Sequence, residues 1–482
     1  MRNKLLIGAA LAVVLAVPAM ADDSLIVQQG LNQTATVDQT GSLDAQSDID
    51  QSVEGNVADV TQTDTATAAT VSNVNESTII QQGIGNTATV TQHNNGGQAA
   101  SANTSGIVQT NNNAVAEAEQ LGIANTSGIN QSGGGITDAL VTQSGEANES
   151  VVFQTGAGGI AAVTQMADES ISSVDQSGFE EAATVSQTGT LQTSNVLQSG
   201  TSDTANITQS GTANMSVVEQ RGVYGVVTVD QVGSGSGNTS TILQRGLQSS
   251  VSVSQDGDTN SVSGPDGFDQ SADNSSAFIT QIGTGSSVFG SQGGSFNTAT
   301  INQNNDDNSV SLDQDGFSNS VLFSQSLASN TAFITQLASG SNNSIFGFQD
   351  GGSNWANLTQ DGTSNGLTSN QTGLTNVSTI TQTGVAGSIS AIQFGDDNLS
   401  LITQSGFDNE ITLSQNSVDN ESEIEQSGND GLISVTQTGA GGYSFVSQGG
   451  GSNNDVQVTQ NSDDAYSVVT QLGSGNTALV NQ

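Results

Sequence analysis

A glutamine returns along almost the whole chain at a fixed step. From Gln28, Gln39, Gln51 and Gln62 to Gln460, Gln471 and Gln482 there are 41 places, with Asn73 filling one of them. Of the 40 intervals, 32 are 11 residues. The best-phased members are Gln81, Gln92, Gln143, Gln154, Gln165, Gln176, Gln187, Gln198, Gln209, Gln220 and Gln231. A second set runs through Gln360, Gln371, Gln382, Gln393, Gln404, Gln415, Gln426, Gln437, Gln448, Gln471 and Gln482. Self-similarity at one short period means an array in which each unit buries its face against the next.

An 11-residue period fits two geometries. One is a helix at 3.67 residues per turn. It fails because Gly stands two places after the ladder residue in 28 of the first 40 units. Each such Gly costs a helix ~1 kcal/mol. The other geometry is a strand plus a turn. In Asn86-Thr87-Ala88-Thr89-Val90-Thr91-Gln92, small and apolar residues share one face with Gln, and Thr takes the other. The Gly-containing stretch supplies the turn. A strand of about six residues cannot bury a face alone, so two strand–turn units should close one rung of 22 residues. The expectation is an all-β solenoid of about 20 two-strand rungs, roughly 95 Å long at ~4.8 Å per rung. Stacked Gln amides would donate to one rung and accept from the next.

The long intervals are Gln92 to Gln109 and Gln255 to Gln270. They contain His93-Asn94-Asn95-Gly96-Gly97 and Gly264-Pro265-Asp266-Gly267, which read as bulged-out turns near 93–108 and 256–269. Residues 40–80 are the least regular part. No linker or second domain interrupts 22–482.

Composition narrows the function. The chain carries 46 Asp+Glu, 4 Lys+Arg, one His and no Cys, a formal charge of −42. Polynucleotide binding needs cations against phosphates, so no nucleic-acid partner is expected. Disulfides and Cys-ligated zinc are excluded. The usual acid–base residues are almost missing. At the N-terminus, Arg2 and Lys4 precede an apolar run from Leu5 to Val17, and then Ala19-Met20-Ala21. This is the pattern of a secretory signal over 1–21, with a secreted, extracellular product beginning near Asp22 and no membrane span afterwards.

A unit written S-x5-Q-x-G-x-x-N-x-A-x-V-x-Q resembles the curlin repeat of curli fibre subunits. Its closest copy runs from Ser77 through Gln81, Gly83, Asn86, Ala88 and Val90 to Gln92, with Asn75, six before Gln81, in the usual Ser place. Further copies are Gln143-Ser144-Gly145 with Asn148, Gln209-Ser210-Gly211 with Asn214, and Gln471 to Gln482. The resemblance implies β-solenoid subunits stacked into functional amyloid, surface adhesion and biofilm matrix. It also implies a homopolymer, a nucleator subunit and a dedicated curli-type secretion channel. Major subunits of that family carry about five repeats behind a Gly-rich segment. Here there are about 20 rungs, and Asp22-Asp23-Ser24-Leu25 leads straight into the first unit. The export route and the major-versus-nucleator role therefore stay open.

No catalytic, cofactor or metal site is expected. His93 lies in a Gly/Asn-rich loop by sequence, and the chain offers it only interchangeable Ser and Thr as nucleophiles. The pairs Asp306-Asp307, Asp396-Asp397 and Asp463-Asp464 lack the nine-residue calcium-roll pattern and fit loose divalent screening. Arg221 and Arg245 both follow a ladder Gln, two units apart, and should share a corner of adjacent rungs. They either pair with Glu219 and Asp230 or are solvated. Trp355, Phe333, Phe346 and Phe348 read as packing residues. Two functions remain: a fibre subunit joined end to end through uncapped terminal rungs, or a soluble binding solenoid, with ice as the sharpest candidate. Against ice, the Thr row before the ladder Gln (142, 164, 208) is broken by Phe153, Asp175, Ser186 and Leu197.

Overall fold

The computed structural model describes residues 22–40, 45–64, 75–94, 102–233, 236–264 and 267–482. The signal-like segment, Asn73, Asn95–Gly97 and Pro265–Asp266 lie outside these. The described residues form β-strands joined by tight turns, with no helix among them. They divide into two compact units, one ending at Ser199 and one beginning at Gly200.

Both units are built the same way. Each strand pairs in parallel with the strand two further along, so two sheets alternate down the chain. In the first unit, Glu149–Gln154 pairs with Ile171–Gln176, and Ile160–Asp168 with Ala182–Thr190. In the second, Trp355–Thr363 pairs with Val377–Val385, and Gly366–Thr372 with Ser388–Phe394. The register always sets Gln against Gln: Gln154 on Gln176, Gln165 on Gln187, Gln360 on Gln382, Gln371 on Gln393. The common offset is 22 residues. This is a β-solenoid of about 20 turns in all.

Alternation along each strand fixes the core. In Thr87–Asn94, Ala88, Val90 and Gln92 are buried while Thr87, Thr89 and Thr91 are only half-buried. Two places before most of the Gln stands a buried aliphatic, such as Val174, Ile380 or Val435. Four places before it, one sheet often uses Ser (Ser150, Ser172, Ser378) where the other uses Ala, Val or Ile (Ala161, Val227, Ile389).

The turns need two special backbones. The residue four after Gln is left-handed in most corners, for example Leu191 at φ 57°, Ala386 at 57° and Asp408 at 51°. The Gly two after Gln is constrained by stacking as well as by φ. A Cβ on Gly384 (φ 140°) would sit 2.3 Å from the carbonyl oxygen of Gly406 in the next turn.

The register pairs Gln51 with Gln81 and Gln62 with Gln92, and residue 73 lies outside the described residues. The insertion after Gln255 lies between Ser263 and Phe268, around the Gly264-Pro265-Asp266-Gly267 stretch expected to bulge out. The corner from Gln255 to Asn260 keeps its usual form, with Thr259 left-handed and Asn260 buried. The extra residues therefore split the following strand into Ser261–Ser263 and Phe268–Gln270, and both halves still pair with Thr239–Gln244. One expectation needs correction: His93 is not in a loop but is the next-to-last residue of strand Thr87–Asn94, registered between Thr63 and Leu121.

Candidate functional site: stacked amide columns

The ladder glutamines lie inside, in two columns per unit. Gln81, Gln92, Gln143, Gln154, Gln165, Gln209, Gln220, Gln231, Gln360, Gln382 and Gln437 are each at most 1% exposed. Gln471 is 6% exposed, and Gln482 is exposed. Each Nε2 donates to the Oε1 of the Gln one turn on. Examples are Gln81 to Gln109 (2.8 Å), Gln92 to Gln120 (2.8 Å), Gln143 to Gln165 (2.8 Å) and Gln154 to Gln176 (2.8 Å). Gln209 to Gln231 (2.8 Å), Gln371 to Gln393 (3.0 Å), Gln393 to Gln415 (2.9 Å), Gln404 to Gln426 (3.0 Å) and Gln448 to Gln471 (3.1 Å) continue the pattern. Gln187 and Gln198 accept from Gln165 and Gln176. The second proton is used too: Gln437 Nε2 also donates to the Glu421 and Gly442 carbonyls at 3.1 and 2.9 Å. A column of this kind binds its own next copy, because each turn offers a donor where the following turn offers an acceptor.

A second column, five residues after Gln, had no assigned role in the sequence reading. Asn376, Asn398 and Asn420 are buried. The Asn376 Oδ1 accepts the Asn398 N–H (3.1 Å), and the Asn398 Oδ1 accepts the Asn420 N–H (3.1 Å). Asn376 Nδ2 donates to the Gly395 carbonyl (2.7 Å), and Asn398 Nδ2 to that of Ser417 (2.8 Å). The left-handed residue before each Asn turns its N–H along the column. The signal was present in the sequence as the Asn of the repeat unit.

Several corners carry another residue at this place, and a carboxylate is among them. Asp203, fully buried, takes the Asn place and accepts the Gly225 N–H at 2.8 Å. Desolvation raises its carboxyl above the ordinary 3.8, against the lowering effect of that N–H. A raised carboxyl pKa disfavours the charged form in the fold. The penalty is complete above the raised value and absent below 3.8. Asp203→Asn should therefore stabilise this turn at neutral pH, by about 1 kcal/mol for the restored donor. The gain should vanish as pH falls into the carboxylate range. Amide exchange of strand Thr204–Thr212 against pH measures it; a gain independent of pH would mean that charge is not the cause.

The remaining singled-out side chains have structural surroundings. Asp306, Asp396 and Asp463 each accept a turn N–H from the preceding turn: Thr284 (2.9 Å), Leu374 (2.8 Å) and Ala440 (3.0 Å). Thr63 Oγ1 and His93 Nδ1 are 2.6 Å apart. Arg221 and Arg245 stack at one corner, the Arg221 N–H bonding the Gln244 carbonyl and that of Arg245 the Gln270 carbonyl. Arg221 contacts Glu219, but Arg245 pairs with Asp269 at 3.7 Å rather than with Asp230, which lies on the other sheet. Phe333 and Phe346 face outward, 43% and 45% exposed, and Phe333 meets Trp355 at 6.0 Å. The aromatic rings in the core are Phe268 and Phe323. A Thr column does exist at Thr335, Thr359, Thr381 and Thr403, but the neighbouring outward column reads Phe333, Asn357, Thr379, Leu401. That is not a uniform T-x-T face.

Residues 306–337, 387–416 and 406–439 match the curlin associated repeat. No curated protein matches the chain. The matched stretches contain strands Ser309–Gln314, Leu399–Gln404 and Leu432–Gln437, with their Gln in the amide columns. The same register and amide bonds occur in unmatched strands such as Glu149–Gln154. A β-solenoid with stretches that match the curlin associated repeat suggests a curli-like structural subunit.

Proposed function

We propose that the chain is the exported subunit of curli-like amyloid fibres on a bacterial surface, serving adhesion and biofilm matrix. Its main partner is another copy of itself, with a nucleator subunit and a curli-type secretion channel as auxiliary partners. The observation that carries this reading is the amide column inside curlin repeats. Every turn offers the next the same main-chain groups and the same Gln donor, so a turn from a second copy can be received as one of the chain's own. The signal-like N-terminus supports export.

Assembly should be gated by charge. With residues 1–21 removed, 46 carboxylates face two Arg, formally −44. Two carboxylates one rung apart, at ~4.8 Å, repel by about 0.9 kcal/mol even at the dielectric constant of water. Screening shortens to ~8 Å at physiological ionic strength and ~3 Å at 1 M. Fibre lag time of the chain from Asp22, followed by thioflavin fluorescence and electron microscopy, should shorten with NaCl, with CaCl₂ and in mild acid. A lag that is flat or lengthened in salt would separate assembly from surface charge. A chain that stays monomeric for days at micromolar concentration, or that shows thermal hysteresis in ice, would overturn the fibre reading.

A further inference from the structure

The second unit places two of the three tyrosines together. Tyr443 and Tyr466 hold the same outward position on consecutive turns, in direct register. Their ring centroids are 5.2 Å apart, and the planes are nearly parallel at 14°. Tyr466 is 64% exposed and Tyr443 half-buried, so both rings are reachable from solvent. Tyr224, the third, is 56% exposed and has no ring partner among the described aromatic pairs.

We propose that Tyr443 and Tyr466 form an oxidative cross-linking site, at which a peroxide-driven one-electron oxidant couples the two phenols into a biphenol staple between successive turns. Each phenol gives up one electron and its hydroxyl proton. The two radicals form one carbon–carbon bond between ring carbons ortho to the oxygens. The hydrogen on each of those carbons is then lost to solvent as the ring regains aromaticity and its oxygen is reprotonated. In net terms the pair loses two hydrogens, and one hydrogen peroxide becomes two waters.

Parallel in-register pairing is what makes this geometry available. It sets like positions one strand spacing apart, ~4.8 Å, so the rings are neighbours before any radical forms. Intramolecular positioning of this kind replaces a bimolecular encounter between two scarce radicals. The carboxylates of Glu423 and Glu421, on the turn before, act on the Tyr443 phenol. Together with desolvation, the larger cause, they hold it protonated above its ordinary value of 10.0. The chain has no Cys, so disulfide chemistry cannot join its turns, and phenol coupling can. None of this depends on fibre formation, because both rings belong to one molecule.

The test treats the unassembled full chain at low salt with hydrogen peroxide and a haem peroxidase, free tyrosine serving as the control for oxidant activity. The expected product is a biphenol fluorophore and a chain lighter by two hydrogens. Cleavage before Asp should leave peptides 430–454 and 464–482 joined. The yield per chain should not change with protein concentration. Tyr443→Phe and Tyr466→Phe keep the stacking and should each abolish the product, while Tyr224→Phe should leave it intact. Coupling that persists in Tyr466→Phe, that involves the Tyr224 peptide, or that rises in proportion to protein concentration would overturn the assignment. So would the absence of coupling while free tyrosine is consumed.

Discussion

Gln382→Ala is expected to open three turns of the second unit at once. The Gln382 Oε1 accepts from Gln360 at 2.8 Å, and its Nε2 donates to Gln404 at 2.8 Å and to the Gly366 carbonyl at 3.3 Å. Truncation removes all three bonds and leaves a void where the amide was. The Gln360 Nε2 keeps the Ser344 and Asn365 carbonyls at 3.0 and 3.3 Å, so its loss is partial. The Gln404 Oε1 loses its column donor. One unsatisfied buried group costs about 1–3 kcal/mol, and the cavity adds to that, for a total near 3–5 kcal/mol. A repeat array does not unfold as one state, so the effect should be local. Amide exchange in Trp355–Thr363, Val377–Val385 and Leu399–Gln404 should quicken by about 10²–10³-fold, since ~1.4 kcal/mol is tenfold. Thr381→Ala, one residue away and facing out, should change exchange within about 0.5 kcal/mol. Comparable effects from the two would mean that the amide column does not hold the turns together. Gln382→Glu keeps the volume but offers no donor while ionised. It should match Ala at neutral pH and recover in acid, where a protonated carboxyl supplies the O–H.

The sequence made the period, the strand alternation and the stacking of units legible, because each follows from which residues recur and at what spacing, whereas the parallel run of the stacked strands is seen in the structure. Gln, the aliphatic two before it and the Gly two after it recur as single residue types, so their roles could be inferred one at a time. The Asn column was harder to read. Its place is shared by Asn409, Gly387, Ser275 and Asp203, and its hydrogen bonds run to main-chain groups that no residue type announces. The insertion near 264–267 was legible from its Gly and Pro composition, whereas nothing in composition shows that the strand halves on either side, Ser261–Ser263 and Phe268–Gln270, keep their pairing. The partner of Arg245 was missed because Asp230 is nearer in sequence but sits on the opposite sheet, while Asp269 is one turn on in the same sheet.

Gly347→Ala is expected to destabilise its strand although Gly is a poor strand residue. In Ser344–Asp350, Gly347 occupies the core position where other turns place Val, Leu or Ile, and it registers on Phe323 of the turn before. Phe323 is fully buried, and a Cβ on Gly347 would fall 2.2 Å from its ring carbons Cδ2 and Cε2. The ring thus fills the space of two side chains, and the missing Cβ makes room for it. With that space free, replacing Gly by Ala would stabilise a strand by roughly 0.5–1 kcal/mol through lost chain entropy. With the ring in it, overpacking should reverse the sign and cost about 1–3 kcal/mol. The sign alone therefore tests the packing. In a Phe323→Val background the ring is gone, and Gly347→Ala should become stabilising, an interaction energy beyond the ~0.5 kcal/mol expected of independent sites. Exchange of the amides in Ser320–Ser326 and Ser344–Asp350 reads all four members of the cycle. If Gly347→Ala slows exchange with Phe323 in place, the ring does not occupy that space. Phe268 repeats the arrangement, its Cε2 lying 3.2 Å from a Cβ built on Gly290 in the following turn. Two such pairs in an otherwise near-uniform column give individual turns a preferred successor, because a ring stacked on Val or Ile instead of Gly would meet a Cβ. A slip by one whole turn is the misfolding to which a repetitive solenoid is most exposed. The same cycle should show it as a rise in heterogeneous exchange when Phe323 and Gly347 are both replaced by Val.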